Sequence, residues 1–73
     1  MTNAKEGKQY NIFGRIEDMT NMEPLRGNTF AKSLHDADIF QPRDAEEAQR
    51  LDNRVHFLQG QGHFEIRPVR YAK

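Results

Sequence analysis

PRDAEEAQRLDNRVHFLQGQGHFEIRPVRY, residues Pro42 to Tyr71, decides the fold, because it reads as a capped helix, a glycine turn and a strand in immediate succession. Asp44 stands at the N-cap position and Glu47 three residues later, the spacing of a capping box. Ala45, Ala48, Leu51, Val55 and Leu58 then recur at three- and four-residue intervals and form one apolar stripe over a helix at 43–59. Gly60-Gln61-Gly62 ends it. His63 to Tyr71 alternates apolar with polar residues, as a strand covered on one side must. A helix followed by an alternating strand predicts an α+β domain, with a small antiparallel sheet of about three or four strands packed on one main helix.

The rest of the chain is read outward from that core. Residues 1–8 are polar and make a flexible lead, and 9–73 make a single domain. Gln9 to Glu17 is the first strand, with Tyr10, Ile12, Gly14 and Ile16 on one side and Asn11, Phe13, Arg15 and Glu17 on the other. A glycine inside a strand points to a bulge or to close approach of another group, so Gly14 is expected at such a place. Asp18 to Asn28, with Pro24 and Gly27, reads as a loop or hairpin connection anchored by Met19, Met22 and Leu25. Thr29 to Gln41 fits two patterns. Phe30, Leu34 and Ala37 suit a helical stripe; Phe30, Lys32 and Leu34 suit a strand, followed by a turn at Asp36-Ala37-Asp38 and a short strand at Ile39-Phe40. Asp36, Asp38 and Pro42 interrupt a helix, which favours the two short strands. The strands at 9–17 and 63–71 are placed as neighbours, tying the two ends of the protein together.

Size sets the energetics. With 73 residues, a chain buries only about 60% of the surface it exposes when unfolded. An apolar fraction of 36% leaves a thin core made of one helix stripe and one sheet face, so burial against a partner would add stability. There are no cysteines, which excludes a disulfide framework and thiolate metal sites and fits a reducing compartment. The polar start lacks the apolar core of a signal peptide, and no apolar run approaches the roughly 20 residues of a membrane span. A cytoplasmic address, with no membrane, is the expectation.

Eleven basic and eleven acidic residues cancel, whereas nucleic-acid-binding domains carry a basic excess. His35, His56 and His63 lack the tight local pairing of a zinc site. His35-Asp36-Ala37-Asp38 reads as an aspartate-rich turn rather than an acid–base or magnesium site. Thr2, Thr20, Thr29 and Ser33 sit in no glycine elbow, and Gly60-Gln61-Gly62 follows a helix, whereas a phosphate-binding loop precedes one. A non-enzymatic protein without cofactor or metal is expected. Glu46 and Glu47 can each pair with Arg50 on a solvated helix face.

Candidate binding residues come from the sheet. If Ile12, Ile16, Phe64 and Ile66 cover the helix stripe, the other face carries Phe13, Arg15, Arg67, Val69 and Tyr71, although a one-residue slip would exchange the faces. Aromatic rings and arginines are enriched at the hot spots of protein interfaces. They also stack on bases and hold phosphates, which keeps single-stranded nucleic acid as an alternative partner. A homodimer that covers this face is a third reading.

With its short, cysteine-free α+β architecture ending in Gly60-Gln61-Gly62-His63-Phe64-Glu65-Ile66-Arg67-Pro68-Val69, the chain resembles the small inhibitors of the anti-CRISPR type that phages and mobile elements encode. The resemblance covers the architecture of the whole chain and assigns no site residues. It implies a protein of the host cytosol that binds a larger protein or ribonucleoprotein complex and sterically blocks a subunit of a nucleic-acid-processing effector.

Overall fold

A computed structural model of the protein describes residues 4–69. Its elements are β1 (Tyr10–Arg15), β2 (Glu23–Arg26), β3 (Thr29–Phe30), a 3-10 turn (Leu34–Asp36), α1 (Ala45–Leu58) and β4 (His63–Pro68). The strands form one antiparallel sheet in the order β3-β2-β1-β4, with α1 against one face, so the chain is a small α+β domain. β1 and β4 pair along their whole lengths, from Tyr10 opposite Pro68 to Arg15 opposite His63. No helix among the described residues is long and apolar enough to cross a membrane.

α1 starts where its cap residues place it. The Asp44 carboxylate accepts from the Glu47 amide at 2.9 Å. The Glu47 carboxylate reaches back one residue further than a capping box requires, accepting from the Arg43 amide at 2.9 Å and pairing with its guanidinium at 3.2 Å. Those hydrogen bonds hold the Glu47 carboxyl below its ordinary pKa and raise that of Arg43. Arg43 therefore takes the place expected for Arg50, which pairs with Glu46 at 2.9 Å. Of the stripe, Ala48, Leu51 and Val55 are buried and Leu58 is half-buried, while Ala45 is exposed.

The stripe packs on Tyr10, Ile12 and Phe64 of the sheet, with Leu25 of β2 and Ala4 completing the core. Burying a side chain the size of Ile12, which is only 1% exposed, stabilises by about 1.5–3 kcal/mol. Gly14 is the close approach its position predicts: a Cβ there would sit 2.1 Å from the Phe64 ring, which lies across the bare backbone. At Gly62 a Cβ would come within 2.4 Å of the Arg15 carbonyl oxygen, so the turn after α1 reaches β4 only because that residue has no side chain.

The lead and residues 16–40 differ from expectation in several places. The segment read as a loop or hairpin at 18–28 contains β2, a four-residue strand. Pro24 conceals it, having no N–H for a ladder, yet its carbonyl accepts from the Ala31 amide at 2.8 Å. Over 28–41 the two short strands shrink to the two residues of β3 and a single bridge at Phe40, with the 3-10 turn between them. Phe40 exchanges both backbone hydrogen bonds with Tyr10 at 2.8 Å, extending the sheet beside β1. Ile16, expected in the core, lies past the end of β1 and is 40% exposed, because the chain turns there with the Met19 amide donating to its carbonyl. The lead read over 1–8 is docked from Ala4 onward. The Lys5 amide donates to the Tyr10 hydroxyl at 2.8 Å, and the Gly7 amide donates to the Pro42 carbonyl at 2.8 Å.

Candidate partner-binding face

Strand alternation and the β1–β4 register place Asn11 beside Arg67, Phe13 beside Glu65 and Arg15 beside His63 on the face turned away from α1. Phe13 also lies opposite Pro24 of β2. Of the residues the sequence selects, Phe13, Arg15 and Arg67 share this face, and Val69 continues its row beyond β4, its amide donating to the Gln9 carbonyl at 2.9 Å. Tyr71 lies outside the described residues.

Arg67 interacts with both Phe13 and Glu65. The Arg67 guanidinium sits 4.4 Å from the centre of the Phe13 ring, and Arg67 Nε donates to Glu65 Oε2 at 2.5 Å. Glu65 thus holds the guanidinium over the ring, where the cation–π contact is worth about 0.5–1 kcal/mol at an exposed site. Both charged side chains remain nearly half exposed. Arg15 is exposed and Phe13 half-buried, so an arginine-capped aromatic surface faces outward.

Beside Arg67 this face is closed by a buried residue. Asn11 is 2% exposed, and its Nδ2 donates to the Asp38 carbonyl at 2.9 Å. The Asp38 amide donates to Leu25, and its carboxylate accepts from the Gly27 amide at 2.7 Å, so this aspartate staples β1, β2 and the β2–β3 turn together. The aspartate-rich turn has a structural task.

Two other surfaces escaped the sequence. Phe57 is 73% exposed at the end of α1 beside a cleft of about 240 Å³ lined by Ile16, Phe30, Leu58 and Phe64. Phe57 stands off the stripe of Leu51, Val55 and Leu58, and an apolar residue on the wrong side of an amphipathic helix was the signal available. A groove of about 440 Å³ runs between Ile39–Pro42 and α1, where the Arg54 guanidinium lies 5.9 Å from the centre of the Phe40 ring. His35, His56 and His63 are exposed, and among the described residues no three histidines or carboxylates gather as a metal site. No family model, curated protein or solved structure matches the chain.

Proposed function

We propose that this protein is a non-enzymatic binding module that docks on a larger protein through the sheet face built by Phe13, Arg15, Arg67 and Val69. The observation that carries the reading is the Phe13–Arg67–Glu65 set, an aromatic ring and an arginine ordered in advance at the surface. Ordering them before contact lowers the entropy lost when a partner arrives, and both residue types are those that dominate binding energy at interfaces. Single-stranded nucleic acid is a poorer match. Glu65 stands directly opposite Phe13 and already engages Arg67, placing a negative charge where a phosphate would have to lie. The balanced net charge also withholds the long-range attraction such ligands use.

Within that reading the protein acts as an inhibitor of the anti-CRISPR type, covering a surface of an effector complex in a host cytosol. Steric occlusion requires only a stable fold and one complementary face. A second reading places the docking surface at the end of α1, and the 73% exposure of Phe57 beside Ile16 and Phe30 favours it.

Affinity capture from a bacterial extract, with and without nuclease, separates protein from nucleic acid. Recovery of a stoichiometric protein after nuclease treatment supports docking on a protein. Recovery that disappears with nuclease contradicts it. A protein still captured by a folded Phe13→Ala, Arg67→Ala variant but lost with Phe57→Ser moves the site to the helix end.

A further inference from the structure

The outer edge of β4 carries an inference that rests on backbone groups and shares only Glu65 and Arg67 with the docking face. β4 is the last strand of the sheet, and the Val69 amide donates inward to Gln9. Because bonded and non-bonded pairs alternate in an antiparallel ladder, the odd-numbered residues of β4 spend their backbone groups on β1. The N–H and C=O groups of Phe64 and Ile66 and the C=O of Pro68 therefore point away from the sheet. Gln59 confirms the direction from outside, its Nε2 donating to the Phe64 carbonyl at 3.1 Å. Among the described residues nothing else pairs with this edge.

We propose that a second copy of this chain pairs with the edge, antiparallel, with Ile66 opposite Ile66 of the second copy on a two-fold axis. In that register each Ile66 N–H donates to the Ile66 carbonyl of the other copy, and each Phe64 N–H donates to the Pro68 carbonyl of the other copy. The one carbonyl of Phe64 that Pro68 has no N–H to serve is already held by Gln59. Glu65 then faces Arg67 of the second copy, twice, on the exposed face. Opposite charges directly across a strand pair stabilise it, and like charges destabilise it. Neighbouring registers set like charges against each other. A shift to one side sets Glu65 against Glu65 and directs an Ile66 N–H at the occupied Phe64 carbonyl; a shift to the other sets Arg67 against Arg67. The product is a continuous sheet with both helices on one side.

The test uses the isolated full-length chain, so failure of partner docking leaves it unaffected. Sedimentation from micromolar to millimolar concentration is expected to rise from the 8.5 kDa monomer towards a dimer. Over the same range the Phe64 and Ile66 amides should gain protection from hydrogen exchange, while those of Glu65 and Arg67, bonded within the monomer, stay unchanged. Arg67→Glu should weaken association by about tenfold or more through like-charge contact, and the exchanged pair Glu65→Arg, Arg67→Glu should restore it. A mass that stays monomeric throughout overturns the proposal, since charges and proline on β4 would then serve only to blunt the edge. A dimer without protection at Ile66, or one that the exchanged pair fails to restore, overturns it equally.

Discussion

The two faces of β1 and β4 are made by alternate residues of the same strands, yet they differ in every physical respect. Towards α1 lie Tyr10, Ile12 and Phe64, each at most 5% exposed, with Gly14 bare under the Phe64 ring. Away from it lie Phe13, Arg15, Glu65 and Arg67, half-buried or exposed, with Arg67 joined to Phe13 by a ring contact and to Glu65 by charge. The inner face supplies the stability of a thin core and has no chemistry to offer. Apart from Asn11, buried and bonded to Asp38, the outer face contributes less to stability, and it holds the groups proposed to meet a partner. Substitutions on the two faces should therefore separate, the first acting on folding and the second on binding.

The largest effect is expected at Leu51, 5% exposed in the middle of the helix stripe. Leu51→Asp buries an unpaired charge and should unfold the domain, read as loss of NMR dispersion. A dispersed spectrum would mean that α1 does not supply the core. Gly14→Ala comes next. Its new methyl meets the Phe64 ring at 2.1 Å and should cost about 1–3 kcal/mol in urea unfolding. Adding Phe64→Leu should recover part of that loss, whereas strict additivity would show that the contact does not limit the site. Asp44→Ala removes the cap on the Glu47 amide and should cost about 1 kcal/mol.

The smallest effect belongs to Glu47, on the solvated side of α1. Its carboxyl is held low by the Arg43 hydrogen bonds, so its contribution is present above the unfolded pKa of about 4.3 and disappears as pH falls through the lower folded value. Glu47→Gln should flatten the loss of stability below that pH, weakly and less so in high salt. An unchanged acid limb would remove the pair from the account of the helix start.

How far these faces could be read from residues alone follows from what holds each part. α1, β1 and β4 obey local patterns: a cap at Asp44, a stripe through Ala48, Leu51 and Val55, and alternation that puts Phe13 and Arg67 on one side. Their pairing, which the chain order allows, ties the two ends of the domain together. Residues 16–40 obey no period. Asp38 organises them through bonds to Leu25, Gly27 and Asn11, contacts between distant positions that no local pattern announces. β2 hides behind Pro24, and Ile16 breaks the alternation because β1 stops one residue before it. The stacking of Arg67 on Phe13 needed the register itself, which sets Glu65 rather than Arg67 directly across from the ring.

The central claim is that the outer face docks on a protein, and quantitative affinity capture tests it most directly. Wild-type protein and a Phe13→Ala, Arg67→Ala variant, shown by NMR to be folded, are presented to the same nuclease-treated bacterial extract. A protein retained stoichiometrically by the wild type and lost by the variant is the predicted result. Equal retention by both would contradict the assignment of docking to this face.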